Sequence, residues 1–210
     1  MHPFQELFER ERVRYEDGMA RLDGEQLVRL GNAAYGAGLS LLMLGRRDEG
    51  AEWLGLAAAR WRESWENASP TSWGRPIGTI KASLIAGRST DAEEFSAWAL
   101  ELGSAEAESP IGRYAATLAL LVLGRDVEGR HVALTLRERD DFPRAVADAL
   151  TLIAAHDVVG YIEAVESVLE SFETRTDYLE DVPVADTVIV LQALADRRGF
   201  AADLSSPLLP

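Results

Sequence analysis

One local pattern constrains the fold of this chain more than any other feature: an apolar helical run, a glycine or alanine, a short polar turn, then a second amphipathic run. It reads Leu42-Met43-Leu44-Gly45-Arg46-Arg47-Asp48-Glu49-Gly50, Leu84-Ile85-Ala86-Gly87-Arg88-Ser89-Thr90-Asp91-Ala92 and Leu121-Val122-Leu123-Gly124-Arg125-Asp126-Val127-Glu128-Gly129. A fourth copy reads Leu152-Ile153-Ala154-Ala155-His156-Asp157-Val158-Val159-Gly160. The anchors at 45, 87, 124 and 155 lie 42, 37 and 31 residues apart, room for two helices and two turns per unit. The expected fold is therefore all-α, an array of about four antiparallel helical hairpins within one domain spanning residues 1–210, with capping helices at both ends.

The periodicity inside each unit agrees. Val158, Ile162, Val165, Leu169 and Phe172 make one apolar stripe, and Glu163, Glu166, Glu170 and Glu173 stay off it. Phe95, Trp98, Ala99 and Leu102 repeat the idea, whereas Tyr114 to Leu123 is apolar on nearly every side, as suits an element packed between neighbours. Pro76, Pro110, Pro143 and Pro183 stand before or at the start of apolar runs, where a missing N–H costs least. Gly103 and Gly199 stand where helices should stop, and Arg197 and Arg198 suit the negative end of a helix dipole. An N-terminal helix carrying Phe4, Leu7, Phe8, Tyr15, Met19 and Leu22, and a C-terminal one from Val184 to Arg198, supply the caps. Helix should exceed roughly 60% of residues, against the usual third.

The Gly45, Gly87 and Gly124 hairpins, with Leu30-Gly31 and Tyr35 in the first unit, resemble tetratricopeptide-type repeats over about residues 26 to 174. That resemblance implies helix–turn–helix units stacked into a superhelix that binds other proteins. Two further segments are similar to parts of an all-helical family from bacterial toxin systems, immunity protein 49. They are Tyr114 to Asp126, and the ending Leu194-Ala195-Asp196-Arg197-Arg198-Gly199 with Ser206-Pro207-Leu208-Leu209-Pro210. That likeness implies toxin neutralisation by direct binding, with an acidic surface covering a basic site.

Charge narrows the partners. Asp and Glu number 35 against 21 Lys plus Arg, for a net charge of −14, which repels phosphate backbones and anionic lipid. Neither nucleic acid nor a membrane is an expected partner. Lys81 is the only lysine, a skew that resembles proteins of salt-loving organisms or of hosts with GC-rich coding sequence. The longest uncharged stretch, between Arg29 and Arg46, contains Asn32, Ser40 and several glycines and falls short of a membrane span. The chain opens without a basic segment followed by an apolar one, and a cytoplasmic location is expected.

Most chemistries find no footing. With no cysteine there is no disulfide, thiolate zinc site, iron–sulfur cluster or cysteine nucleophile. Lys81 lacks the phosphate-binding loop that would employ it, Gly36-Ala37-Gly38 lacks the third glycine of a dinucleotide fingerprint, and neither G-x-S-x-G nor H-E-x-x-H occurs. Glu128 and His131 share di-iron spacing but have no second copy, because Ile153 precedes His156 by three. Glu93-Glu94 and Asp140-Asp141 point about 100° apart on a helix, and Glu170, Glu173, Asp177, Glu180 and Asp181 form an acidic run that reads as surface or as a site for a cation or a basic partner. No catalytic, cofactor or metal residue is assigned. Glu128, His131 and Arg113 are the least unsuitable trio for an enzyme.

The tryptophans are the most informative side chains. Trp53, Trp61, Trp65, Trp73 and Trp98 all lie in the first half of the chain, interleaved with Arg60, Arg62 and Arg75. Trp and Arg dominate binding hot spots. The candidate partner-binding set is Trp61, Arg62, Trp65, Trp73, Arg75 and Trp98, near the long connection from Asn67 to Gly74, and the expected partner is a protein or peptide. The alternative is an irregular aromatic core. A groove requires at least two of the four indoles to reach solvent; a core requires all four to be buried and the arginines to pair with acids.

Overall fold

The recurring turn sets the architecture. The computed structural model describes residues 2–210, which are 73% helical with no strand. Helix α1 (Pro3–Gly18) precedes four hairpins. They are α2 (Gly24–Met43) with α3 (Arg47–Ser64), α4 (Gly74–Ile85) with α5 (Ser89–Glu101), α6 (Pro110–Val122) with α7 (Asp126–Arg137), and α8 (Arg144–Ala155) with α9 (Val158–Glu173). Helix α10 (Asp186–Asp196) ends the series. Each helix packs on the next along the chain, as in a helical-repeat array. None of the described helices is long and apolar enough to cross a membrane.

Every hairpin closes by the same device. Gly45, Gly87 and Gly124 have φ of 74°, 68° and 69°, the left-handed region that a side chain disfavours. The following N–H then reaches back five residues: Arg46 to Leu41 O (2.9 Å), Arg88 to Ser83 O (2.9 Å) and Arg125 to Leu120 O (2.8 Å). These arginines bend onto the acid three residues on, Arg46 to Glu49 and Arg125 to Glu128, so the Gly-Arg pair both ends one helix and starts the next. In the fourth hairpin the left-handed residue is His156 (φ 55°), one place beyond the expected anchor Ala155, and the Asp157 N–H completes the turn on Leu152 O at 3.0 Å. Asp157 then caps α9 by accepting from the Gly160 N–H at 3.0 Å.

Pro76 and Pro110 occupy the first turns of α4 and α6, Pro143 caps α8, and Pro183 stands ahead of α10. The all-round apolar helix α6 is buried from Tyr114 to Val122, as its sequence requires.

The C-terminal helix does more than cover the last hairpin. It packs on α4, α8 and α9, with Val188, Val190, Leu191 and Leu194 fully buried. Each such burial is worth roughly 1.5–3 kcal/mol, so α10 is a strut wedged between α4 and the last hairpin. The segment leading to it crosses back to the N-terminal end, where Val182 and Val184 join the core of Tyr15, Tyr35 and Trp61. The chain thereby covers part of its own first helices, leaving a space beside the start of α10 between α2 and α4.

Candidate functional site

What α10 leaves uncovered is a chamber of about 440 Å³. Val28, Asn32 and Tyr35 of α2, Trp61 of α3 and the first two turns of α4 line it. Leu179, on the segment before α10, and Asp186, opening α10, complete the wall.

Trp61 can form this wall because two glycines make room. A Cβ at Gly31 of α2 would stand 2.5 Å from the indole, and one at Gly78 of α4 would stand 2.6 Å away. The ring is therefore slotted between two backbones, 5% exposed, with Tyr35 tilted against it at 5.3 Å. Its Nε1–H donates to Asn32 Oδ1 at 3.1 Å, and Asn32 Nδ2 donates to Glu180 Oε1 at 3.1 Å. The buried indole is thereby satisfied.

The chamber floor is an ion pair. Lys81 Nζ donates to Asp186 Oδ2 at 2.7 Å and to Thr187 Oγ1 at 3.2 Å, and Tyr35 OH donates to the same Asp186 oxygen at 2.8 Å. Both charged side chains are mostly shielded, 13% and 15% exposed. Burial alone would push the Asp186 carboxyl up, but the Lys81 ammonium and the hydroxyls of Tyr35 and Thr187 hold it below its ordinary value. Burial, with Asp186 beside it, pushes Tyr35 well above the usual phenol range. The phenol thus stays a donor and the carboxylate an acceptor.

Arg75, in the first turn of α4, is the charged residue of the wall with no counterpart. Its side chain makes no hydrogen bond or ion pair among the described residues, and its Nε is shielded from solvent. Desolvation lowers its pKa below the ordinary guanidinium value.

The structure divides the six candidate residues into two groups. Trp61 and Arg75 line the chamber. The other four form a separate stack: Trp65 meets Trp98 edge-on at 5.6 Å and Trp73 tilted at 6.3 Å, and Arg62 lies over the Trp98 ring at 4.3 Å. Trp61, Trp73 and Trp98 are buried and Trp65 alone is partly exposed, so the expectation of two accessible indoles is not met. Yet neither Arg62 nor Arg75 pairs with an acid, as a pure core would require. Trp53 packs elsewhere, edge-on to Tyr15 and Phe8 of α1.

The other candidates disperse. Glu128 is held by Arg125, His131 is exposed, and Arg113 donates to Ala107 O at 3.0 Å. No group of three acids or histidines among the described residues could hold a metal. The acidic run is broken up: Glu180 turns inward to Arg14 and Asn32, and Glu173 accepts from Ser206.

Lys81, Asp186 and Tyr35 escaped sequence reasoning, although one signal was present. A solitary lysine in a chain of arginines, between Ile80 and Ala82 on an apolar helix, is a residue with a particular partner. Comparison of the chain with family models, with curated proteins and with solved structures returns no match.

Proposed function

We propose that this protein is a non-catalytic binding module that holds a protein or peptide partner, with the chamber between its first two hairpins as the anchor pocket. The observation that carries this is the chamber itself, an aromatic-walled space of about 440 Å³ left open where α10 stops covering the first helices. Sites for small groups run from roughly 300 to 1,000 Å³, and binding energy concentrates where one bulky group enters a desolvated pocket. The reactive-looking groups support binding over chemistry, because Lys81, Asp186 and Tyr35 are engaged with one another. Trp61 and Arg75 are then the contact residues. Trp65, Trp73, Trp98 and Arg62 act from behind, as the packed support of α3 and α4.

Peptide display on the whole protein tests this. Val28 stands half-buried in the chamber wall, so Val28→Trp obstructs the space from α2. Peptides selected on the unmodified protein should bind Val28→Trp at least about tenfold more weakly, with the helical circular-dichroism spectrum unchanged. Equal binding to both forms would place the docking surface elsewhere.

A further inference from the structure

We infer that the chamber selects a carboxylate carried on a large apolar group, an inference that rests on the chamber being the binding site. It follows from what the walls leave unused. On the acceptor side, Asn32 Oδ1 already accepts from Trp61, and Asp186 Oδ2 accepts from both Lys81 and Tyr35 while its Oδ1 accepts from Thr187. On the donor side, one N–H of the Asn32 amide is spent on Glu180 and the Trp61 indole on Asn32. The donors with unmet capacity are the Arg75 guanidinium, the third N–H of the Lys81 ammonium, the second N–H of Asn32 and the Ser72 hydroxyl. Of these only the Ser72 hydroxyl can also accept, and a guanidinium presents five N–H groups in a planar fork.

The charge balance points the same way. Lys81 and Asp186 cancel, leaving the +1 of Arg75 in the chamber of a chain whose net charge is −14. The one acid lining the chamber, Asp186, is committed to Lys81, and Glu180, behind Asn32, is committed to Arg14. An amine entering here would meet like charge, and an uncharged amide or alcohol would offer the guanidinium an acceptor but no countercharge. A carboxylate can take the fork bidentately, and one unpaired cation matches one negative charge. The remaining walls, Val28, Tyr35, Trp61, Ile77 and Leu179, call for an apolar body. Two sources offer that combination: the last residue of a polypeptide ending in a large apolar side chain, or a free organic acid.

Three probes separate the possibilities with the full chain: N-acetyl-phenylalanine, its C-terminal amide, and 3-phenylpropionate, each titrated by calorimetry and by the NMR signal of the Trp61 indole N–H. The acid should bind at least about tenfold more tightly than the amide, the gain expected of a charge-assisted bond. Arg75→Gln should abolish that difference by weakening the acid's binding at least about tenfold more than the amide's. N-acetyl-phenylalanine binding more tightly than 3-phenylpropionate identifies a chain end as the source; equal or weaker binding identifies a free acid. Acid and amide binding alike, with the Trp61 signal moving, overturns the charge preference and leaves the chamber as the binding site. No movement of the Trp61 signal with any probe at millimolar concentration overturns the inference, and the Val28→Trp comparison then decides the wider proposal.

Discussion

The two ends of α10 are both fastened by charge, one by a compact cluster around a single ion pair and the other by a set of bonds spread over two arginines. At the N-terminal end Asp186 is shielded and bonds one lysine, one phenol and one threonine hydroxyl at the chamber floor. At the C-terminal end Arg198 bonds Leu121 O at 2.8 Å, Leu194 O at 2.7 Å and the Asp126 carboxylate, and Arg197 bonds Val122 O at 3.0 Å and Glu93 at 2.9 Å. Leu121 and Val122 end α6, so these arginines satisfy carbonyls that have no partner within the helix, at the negative end of its dipole. The difference teaches where each fastening is vulnerable. The inner one rests on few groups, each making several of its bonds; the outer one is spread over many bonds and two arginines, and degrades by steps.

The largest expected effect is therefore at the inner end. Lys81→Met keeps the apolar stem but leaves Asp186 without its cation, and breaking one side of a buried pair costs about 3–5 kcal/mol. Urea unfolding at pH 7 measures it. Replacing both partners, Lys81→Met with Asp186→Leu, should cost less than Lys81→Met alone, because no unpaired charge remains and only the Tyr35 and Thr187 hydroxyls then lack partners. A loss below about 1 kcal/mol for Lys81→Met would mean the floor is solvated and would erase the contrast between the two ends.

At the outer end Arg198→Ala should cost about 2 kcal/mol, since the lost bonds involve a charged donor but water can reach some of the acceptors. A pH readout sharpens this. Burial tends to raise the Asp126 carboxyl, but the bonds from Arg198 and His156 bring it below its ordinary value. A carboxyl whose folded pKa is depressed contributes stability above its unfolded value of about 3.9, and that contribution is lost as pH falls through the folded value. The deficit of Arg198→Ala should accordingly narrow between pH 5 and about pH 3. A constant deficit would assign the whole effect to the α6 carbonyls.

What the sequence disclosed follows the range of the forces involved. Helix ends and turns are written within five or six residues, so Gly45-Arg46, Gly87-Arg88 and Gly124-Arg125 were legible as hairpin turns, as were the helix starts at Pro76 and Pro110. The fourth turn slipped by one residue because His156 stands where the others have glycine. The position of α10 was not legible: its partners Lys81, Tyr35 and Asp126 are distant in sequence, and nothing in an apolar helix says which neighbours it will lie across. The chamber was half legible. Trp61 and Arg75 were singled out by residue type, but the depth of Trp61 is set by Gly31 and Gly78, glycines whose role appears only when α2 and α4 flank the ring.

The smallest expected effect concerns His156, which closes the fourth turn and also bonds Asp126 at 2.8 Å. Holding a side chain at φ 55° costs about 1 kcal/mol relative to glycine, whereas its half-exposed pair with Asp126 returns between about 0 and 1 kcal/mol. His156→Gly removes both, so the two changes should nearly cancel and leave stability within about 0.5 kcal/mol of the unmodified protein. His156→Ala removes the pair but keeps the strained backbone, and should be the less stable of the two variants by about 1 kcal/mol. Thermal unfolding of both at pH 7 makes the comparison. Equal stability of His156→Ala and His156→Gly would show that the turn stores no strain. Losses in both variants matching that of Arg198→Ala would instead show His156 to be a full member of the outer fastening, holding Asp126 in place for Arg198 and bringing the fourth turn into the energetics of α10.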